Sequence, residues 1–235
     1  MEMENNRKPM IQELILEVTR RCNMSCAHCL RGDAQALNMS KEIIDKVLDS
    51  VESIGSVLFT GGEPSLNLEV IRYFFTKAEE LGKLPYSFYI VTNGKENQEE
   101  LAIELLKWWP KMEEKDMCGV ALSLDDYHDL LYDNPENHIL RGLAFYRDDK
   151  EWNGRKVILV KEGRAQNLTD VEFKNWTESE RIDEDDGVIE MLYVAANGNL
   201  IGSCDMSYEH IDSLSEYTVG DLPHLLELLE KENAA

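Results

Sequence analysis

Three cysteines within a stretch of eight residues offer the clearest chemistry in this 235-residue chain. Cys22, Cys26 and Cys29 follow a C-x3-C-x2-C spacing, whereas Cys118 and Cys204 stand alone. At a cysteine frequency of about 2%, chance would produce this spacing roughly 0.002 times in such a chain. The first residues lack a basic region followed by an apolar one, so we expect no secretory signal. An odd cysteine count in such a chain predicts metal or redox chemistry rather than a disulfide framework.

The number of thiols on this loop limits the kind of metal site. A closed structural zinc site takes four ligands, and three thiolates are one short. Three thiolates can instead hold three irons of a [4Fe–4S] cluster and leave the fourth iron open to a small molecule. A zinc site completed by His28 is the alternative, but His28 lies between Cys26 and Cys29 in a very tight loop. We therefore predict one cluster, held by Cys22, Cys26 and Cys29 as metal-ligating and catalytic residues.

The elements that must position the cysteines alternate between strand and helix. Strands are predicted at Leu14–Thr19, Val57–Thr60, Ser87–Val91 and Val120–Leu124. Helices are predicted between them, from a cap at Ser40 to a stop at Gly55, through Leu68–Leu81 to Gly82, and over Glu99–Trp109. Short apolar strands alternating with helices indicate a parallel sheet buried on both faces. A helix at about Asn137–Arg147 and a strand at Val157–Val160 continue the pattern.

Polar clusters follow the ends of the predicted strands. The cysteines come after the first strand, Gly61–Pro64 after the second, Thr92–Gly94 after the third, and Ser123 with Asp125 at the fourth. The carboxyl ends of parallel strands meet at one edge, where loops converge and ligands bind. We therefore expect these clusters to share one site.

The C-terminal part of the chain has a different pattern. Glu178–Asp186 holds six acidic residues and one arginine, which predicts a solvated loop. Val188–Ala195 and Asn199–Ile201 flank Asn197-Gly198, which predicts a hairpin with a tight primed turn. An amphipathic helix is predicted at about Asp221–Glu230.

Composition and charge exclude several classes of partner. The chain is 43% hydrophobic and 30% charged, a mixture that can bury a core. Its net charge of −22 argues against binding to a nucleic-acid backbone or an anionic membrane. No uninterrupted apolar run approaches the ~18–20 residues that span a bilayer. We expect a soluble, cytoplasmic protein without a nucleic-acid or membrane partner.

The Cys22–Cys29 loop after the first strand, with Gly61-Gly62-Glu63-Pro64 after the second, resembles the radical S-adenosylmethionine (radical SAM) superfamily over roughly residues 12 to 165. The resemblance implies that the amino and carboxylate groups of S-adenosylmethionine chelate the open iron. An electron from the reduced cluster then cleaves the sulfonium, and a 5′-deoxyadenosyl radical abstracts hydrogen from a substrate. A flavodoxin- or ferredoxin-like electron donor is implied as well.

The resemblance also implies roles for the four residues after the second strand. Gly61 and Gly62 would let the backbone approach the methionine moiety closely. Glu63 would accept a charge-assisted hydrogen bond from its ammonium group. Pro64 would make the turn rigid.

Other cofactor-binding residues follow from the same resemblance. Ser123 and Asp125 are similar to the hydroxyl and carboxylate that contact the ribose and methionine portions, with a loop-capping role as the alternative for Asp125. Asn93 belongs to a Thr-Asn-Gly motif common in the superfamily, or to a simple turn. Arg164 resembles an arginine that reaches the cofactor carboxylate or the substrate, or is an exposed loop residue. His28 stands where an aromatic commonly flanks the adenine. Surface or capping roles are expected for the remaining histidines, His128, His138, His210 and His224.

The chain is too short for a full barrel of ~250 residues, since a C-terminal hairpin and helix use about 40 residues. No convincing strand lies between Asp126 and Val157, where the family usually has a fifth. We predict an α/β fold, a partial (β/α) TIM-type barrel of five or six parallel strands that does not close. The predicted units are the radical SAM core at 12–165 and a hairpin-plus-helix extension at 187–235.

The predicted extension bears on the substrate. Ala196–Cys204 resembles the opening of the cysteine-rich extension of peptide-modifying members, but no later cysteine accompanies Cys204. The resemblance therefore implies a degenerate SPASM/twitch-like remnant, and Cys118 is expected to be a buried core thiol. The remnant favours a peptide or protein substrate. The net charge of −22 favours a basic one, with a role of the acidity in solubility alone as the alternative. The alternatives are a glycyl-radical-enzyme activase and a non-catalytic iron–sulfur protein for electron transfer or sensing, although the latter would normally supply a fourth cysteine.

Overall fold

A computed structural model describes residues 7–123, 128, 138–148, 159–174 and 181–233. The strands in these residues are β1 (Met10–Thr19), β2 (Ser53–Gly61), β3 (Ser87–Thr92), β4 (Gly119–Leu122), β5 (Glu184–Asp185), β6 (Val188–Val194), β7 (Asn199–Ile201) and β8 (Tyr217–Thr218). The α-helices are α1 (Lys41–Ser50), α2 (Leu68–Glu80), α3 (Gln98–Trp108), α4 (Tyr208–Leu214) and α5 (Leu225–Asn233). None of the helices in the described ranges combines the length and apolarity that a membrane crossing needs.

The strands form one mixed sheet in the order β4-β3-β2-β1-β6-β7-β8, and β5 pairs with β6 outside this path. β1 to β4 and β6 run parallel, whereas the pairings of β5, β7 and β8 are antiparallel. Five parallel strands with β4 and β8 at the ends of the path confirm the prediction of a partial barrel-type α/β fold that does not close in the described residues.

The core lies between β1–β4 and the helices that cross over between these strands. α1 buries Ile44, Val47 and Leu48, and α2 buries Val70, Ile71, Phe74, Phe75 and Ala78. Aromatic rings fill the layer beneath them: Phe75 stacks on Trp108 with centroids 5.2 Å apart and meets Phe59 and Phe88 edge-on. This dense apolar layer holds the strand ends, and therefore the loops that follow them, in fixed positions.

The first predicted helix is too long at its C-terminal end. α1 ends at Ser50, and Ile54 and Gly55 already belong to β2, where Ile54 pairs with Ile11. The apolar residues keep a helical spacing up to Ile54, but pairing with β1 places Ile54 in a strand. Gly55 is therefore not a helix stop. A Cβ there would lie 2.5 Å from the carbonyl oxygen of Gln12, so this glycine permits the close approach of two strands.

The helix predicted at Asn137–Arg147 is wrong in its described part. Ile139–Gly142 forms a 3-10 turn, and Tyr146 makes a parallel bridge with Val120 of β4. Phe145 is buried against Phe88 at 5.5 Å, which favours an extended backbone at this point. Of the strand predicted at Val157–Val160, the described residues include Leu159, which bridges Phe173 in parallel.

The predicted hairpin is confirmed, but its turn differs. β6 and β7 pair antiparallel through Tyr193–Ile201 and Val194–Leu200. Gly198 has φ +90°, whereas Asn197 is not among the positive-φ residues, so the turn is not the primed type. The Gly198 N–H donates to the carbonyl of Ala195 instead, giving an ordinary turn followed by one left-handed glycine.

The acidic segment is more ordered than predicted. Within its described residues, Glu184–Asp185 pairs with β6, and Ile182 is buried. The predicted C-terminal helix begins later, as a 3-10 turn at Leu222–His224 that continues into α5. α4 and β8 have no counterpart in the sequence-based prediction.

Candidate functional site

The cysteine loop leaves the sheet at the end of β1 and returns before α1. Its neck is closed by backbone hydrogen bonds: the N–H of Arg20 donates to Leu37 at 2.8 Å, and the N–H of Met39 donates to Val18 at 3.0 Å. The Thr19 hydroxyl adds a 2.7 Å bond to Oδ1 of Asn38. The loop is thus anchored at both of its ends, which fixes where its thiols stand.

A cavity of about 420 Å³ lies at the carboxyl edge of the parallel strands. Ten of the twelve predicted site residues line it: Cys22, Cys26, His28, Cys29, Gly61, Gly62, Glu63, Asn93, Ser123 and Arg164. Pro64 is buried and does not line the cavity, and Asp125 lies outside the described residues. Cys204 lines the same cavity, whereas Cys118 is a buried core thiol, as expected.

The donor set suits an iron–sulfur cluster. Cys22, Cys26 and Cys29 present three soft sulfur ligands to one cavity, the ligand type that such clusters take. Burial is the main cause that raises the pKa of the Cys22 thiol, with the Glu63 carboxylate adding to it. Across the described ranges, no three His, Cys, Asp or Glu side chains converge on a position for a single metal ion.

Close backbone contacts require glycine at positions 61 and 62, independently of any cofactor. Gly61 has φ +138°, and a Cβ there would lie 2.0 Å from the carbonyl oxygen of Thr19. A Cβ on Gly62 would lie 2.3 Å from the carbonyl oxygen of Arg21. The N–H groups of Gly62 and Glu63 donate to these carbonyls of Thr19 and Arg21, each at 2.8 Å. The two glycines therefore let β2 hold the start of the cysteine loop directly.

The Glu63 carboxylate is buried, with 1% of the residue exposed, and it connects two strand ends. Its Oε1 accepts from the Ser65 N–H at 3.0 Å and from the Thr92 hydroxyl at 2.6 Å, and its Oε2 accepts from the Asn93 N–H at 2.7 Å. Pro64 is the first residue of a 3-10 helix, Pro64–Asn67, which Glu63 caps. A carboxylate has about four acceptor positions, so these contacts leave one, on Oε2.

Asn93 connects the β3 end to the cysteine loop. Its Nδ2 donates to Oδ1 of Asn23 at 2.7 Å, next to Cys22. Arg164 also binds the cysteine loop. Its side-chain Nε donates to the carbonyl of Cys26 at 3.0 Å, and its backbone N–H donates to the carbonyl of Cys29 at 2.9 Å. Both residues hold the loop, and the cofactor contacts expected of them stay predictions.

His128 is buried, not at the surface as expected. Its Nε2 lies 3.3 Å from the Sγ of Cys26, and its ring meets that of His28 edge-on with centroids 4.9 Å apart. A hydrogen bond to a ligating sulfur is one of the ways in which proteins tune cluster potential. His138, by contrast, has the expected capping role, since its Nδ1 accepts from the Leu140 N–H.

A buried charged cluster supports the loop from below. Arg20 is 1% exposed and donates to Oε1 of Glu17, which is itself fully buried. Arg20 also forms two hydrogen bonds with Asp212 of α4, at 2.7 and 2.8 Å. The Tyr193 hydroxyl donates to Oε2 of Glu17 at 2.6 Å. The cluster thereby ties β1, β6 and α4 to the base of the cysteine loop.

Sequence reasoning missed this cluster, although one signal was present. Glu17 is a charged residue between the apolar Leu16 and Val18, and carboxylates are almost never fully buried unless they are paired. The identity of the partners had no local signal, because Asp212 lies far along the chain from Arg20. His128 had no sequence signal.

A family model described as "Radical SAM superfamily" matches residues 16–142. Among curated proteins, the chain is 38% identical over 92 residues to the GTP 3′,8-cyclase of Clostridium acetobutylicum, covering 36% of this chain and 28% of that protein. It is 31% identical over 138 residues to the antilisterial bacteriocin subtilosin biosynthesis protein AlbA of Bacillus subtilis, covering 55% of this chain and 28% of that protein. The chain spans between 22% and 29% of the length of the curated relatives it matches.

Among solved structures, SuiB of Streptococcus suis bound to the precursor peptide SuiA is similar at 22% identity and a TM-score of 0.34. The similarity covers 51% of this chain and 25% of that chain. Native anSMEcpe with bound AdoMet and Cp18Cys peptide is similar at 25% identity and a TM-score of 0.36, covering 52% and 34%. Because the family model matches more than half of its residues, the chain belongs to the radical SAM superfamily.

Proposed function

We propose that the protein is an enzyme that cleaves S-adenosylmethionine reductively at one [4Fe–4S] cluster and removes a hydrogen atom from a peptide or protein substrate. The observation that carries this proposal is the placement of Cys22, Cys26 and Cys29 around one cavity with the Gly61–Glu63 segment. Membership of the radical SAM superfamily supports it.

Different residues of the chain are proposed to bind the cluster and S-adenosylmethionine. Cys22, Cys26 and Cys29 would hold the cluster, which supplies the electron for cleavage when bound. Glu63 keeps one acceptor position on Oε2 for a donor such as the ammonium of S-adenosylmethionine. Leu58, Val91 and Leu159 give the cavity an apolar wall, which keeps water away from reactive species. Ser123, Asp125 and His28 are proposed to contact the nucleoside portion.

A polypeptide substrate is supported by two independent observations. One relative over 55% of the chain is a bacteriocin biosynthesis protein by its name, and a bacteriocin is a peptide product. The sheet is open in the described residues, and an open barrel leaves a lateral cleft for a large substrate. The extension at 187–235 is proposed to be a remnant of the extension found in peptide-modifying members.

The experiment is anaerobic turnover with dithionite or a reduced flavodoxin as the electron donor. We expect the reconstituted protein to convert S-adenosylmethionine to 5′-deoxyadenosine, measured by liquid chromatography with mass spectrometry. A matched variant with Cys22, Cys26 and Cys29 all changed to Ala should form none. A cluster-containing protein that forms no 5′-deoxyadenosine would instead be a non-catalytic iron–sulfur protein.

Substrate class is tested with the short open reading frames beside the gene, by peptide mass spectrometry after turnover. A modified nucleotide or other small metabolite would overturn the polypeptide assignment, and a stable glycyl radical on a partner enzyme would indicate an activase. If the net charge of −22 attracts a basic polypeptide, association should slow as salt rises, because screening shortens to about 8 Å near 0.15 M ionic strength.

A further inference from the structure

The cysteine loop separates two sides of the cavity. On one side lie Gly61, Glu63 and Asn93, at the carboxyl ends of β2 and β3. On the other side lie Cys204 and Tyr208, which follow β7, and Arg31 of the cysteine loop itself faces them. Because β1 stands between β2 and β6 in the sheet, these two groups face the cavity from opposite directions. The second side is not used by any contact assigned to S-adenosylmethionine above.

Arg31 brings a positive charge to this second side without a carboxylate partner. Its Nη1 donates to the carbonyl of Met206 at 2.8 Å, and its guanidinium lies 5.1 Å from the ring centre of Tyr193. Among the described residues Arg31 forms no salt bridge with an Asp or Glu, although the nearby Glu17 carboxylate acts on it electrostatically. A guanidinium has five N–H donors, so most of them are available to a ligand. The Glu17 oxygens already accept hydrogen bonds from Arg20 and Tyr193, so Arg31 can still pair directly with an anionic group of a ligand.

Tyr208 adds a second donor beside Arg31. The residue is 2% exposed, and its hydroxyl has no hydrogen-bond partner among the described residues. Its N–H donates to the carbonyl of Arg31 at 3.2 Å, which keeps the two residues adjacent. Burial raises the pKa of Tyr208, so the hydroxyl keeps its proton and can donate it to an acceptor. Buried hydroxyls are normally paired, and the missing partner points to a ligand.

A second cavity of about 370 Å³ shares this wall. Arg31, Gly32, Arg164 and Tyr208 line both cavities, and Gln35 and Ser207 line only the second. Arg31 and Tyr208 therefore lie in the wall that the two cavities share.

We propose that Arg31 and Tyr208 bind a carboxylate of the polypeptide substrate and thereby position the residue from which hydrogen is removed. The proposal rests on the proposed function and deepens it by naming the group that is recognised. The carboxylate belongs to an acidic side chain or to the C-terminus of the substrate. A net charge of −22 steers a basic polypeptide from a distance, whereas Arg31 acts at contact range, so the two effects are compatible.

The test is binding of small peptide probes to the cluster-containing protein with S-adenosylmethionine, without reductant, by ligand-observed NMR at millimolar concentrations. The first pair is acetyl-Ala-Glu-Ala-amide and acetyl-Ala-Gln-Ala-amide. The second pair is acetyl-Ala-Ala-Ala with a free C-terminus and the same peptide amidated. We expect wild type to prefer the carboxylate member of one pair, and the preferred pair identifies the source of the carboxylate.

The variants are Arg31→Gln, Tyr208→Phe and the matched surface control Arg7→Gln, which removes only a pair with the exposed Asp186. Arg31→Gln should weaken binding of the carboxylate probe about tenfold or more, and Tyr208→Phe about threefold to tenfold. Neither variant should alter the affinity for S-adenosylmethionine or the binding of the neutral probe. Arg31→Lys, which keeps the charge but loses the planar fork, should recover only part of the affinity and serves if Arg31→Gln does not fold.

Two outcomes overturn the proposal. One is equal or undetectable binding of charged and neutral probes to wild type. The other is a loss of S-adenosylmethionine affinity in Arg31→Gln with peptide discrimination intact, which would assign Arg31 to the cofactor. A stability control tests the hydroxyl itself: Tyr208→Phe should leave the melting temperature unchanged, whereas Tyr193→Phe removes a bond to Glu17 and should lower it. A protein that discriminates the probes but forms no 5′-deoxyadenosine would retain this site and lose the proposed function.

Discussion

The Glu63 carboxylate at the end of β2 accepts a 2.6 Å hydrogen bond from the Thr92 hydroxyl at the end of β3. This contact joins two strand ends at the cavity edge. It also means that Glu63 has a structural task before any ligand binds, since its other contacts are with Ser65 and Asn93 of the same protein. A substitution at Glu63 therefore tests two functions at once, and they must be separated.

We predict that Glu63→Gln lowers both stability and S-adenosylmethionine affinity. Oε1 must keep accepting from two donors, so the new amide NH₂ would face the N–H of Asn93, at a cost of about 1–3 kcal/mol in unfolding free energy. Loss of the charged acceptor should weaken binding by about 2–5 kcal/mol. Urea unfolding and anaerobic titration measure the two effects. Thr92→Val is the control: it removes one donor but keeps the charge, and should affect stability more than affinity.

We predict that Gly62→Ala destabilises the protein even without a cluster. Its Cβ would lie 2.3 Å from the carbonyl oxygen of Arg21, and backbone cannot move aside cheaply, so about 2–3 kcal/mol should be lost. Gly142→Ala is the control, because nothing lies within 4 Å of the added Cβ. Chemical unfolding of the apo-proteins compares the two. Equal stability of Gly62→Ala and wild type would mean that this glycine serves only the cofactor.

We predict one cluster, with about four irons per chain after anaerobic reconstitution. Changing Cys22, Cys26 and Cys29 to Ala together should remove the iron and sulfide, measured by chemical analysis. Cys118→Ala and Cys204→Ala should each retain the cluster. About eight irons per wild-type chain, falling by half in Cys204→Ala, would show a second cluster and contradict the prediction.

We predict a pH-dependent role for Asp212. Its hydrogen bonds from Arg20 lower the pKa of its carboxyl in the folded state. A lowered folded pKa contributes stability above the unfolded pKa of about 3.9, and this is lost as pH falls through the folded value. Since the side chain is 40% exposed, screening limits the contribution to about 1 kcal/mol.

The measurement is urea unfolding of Asp212→Asn and wild type between about pH 7 and about pH 3. The two free energies should differ near neutral pH and converge at the acid end. Asp186→Asn removes a carboxylate that is 91% exposed, and it should change little at either pH. A difference for Asp212→Asn that stays constant down to the acid end would contradict this pairing.

The strand–helix alternation was predictable because short apolar runs and helical spacing are local signals. The shared edge of the clusters followed from strand direction, and Cys29, Gly62 and Asn93 do line one cavity. The stop of α1 was not predictable, since Ile54 fits both the helical phase and a strand, and its pairing with Ile11 decides. Contacts between distant residues, such as Arg20 with Asp212, have no local signal at all.

The position of β6 in the sheet is another feature that the sequence did not predict. The sequence pattern correctly predicted β6 as one strand of a hairpin. Apolar–polar alternation and turn residues, however, indicate only the strand that pairs across the turn. The other edge of β6 pairs in parallel with β1, from Met10–Val188 to Leu16–Val194. A pairing across most of the chain depends on the total packing of the sheet, which no short window contains.

This pairing has a consequence for synthesis of the chain. β1 is made first and finds β2 soon afterwards, but its other edge has no partner until β6 has left the ribosome. At about 5–20 residues per second, that edge stays open for roughly ten seconds or longer. An apolar strand with an unpaired edge is a template for pairing with other chains. The nascent protein therefore passes through an aggregation-prone interval, and C-terminal truncation before residue 188 would make that interval permanent.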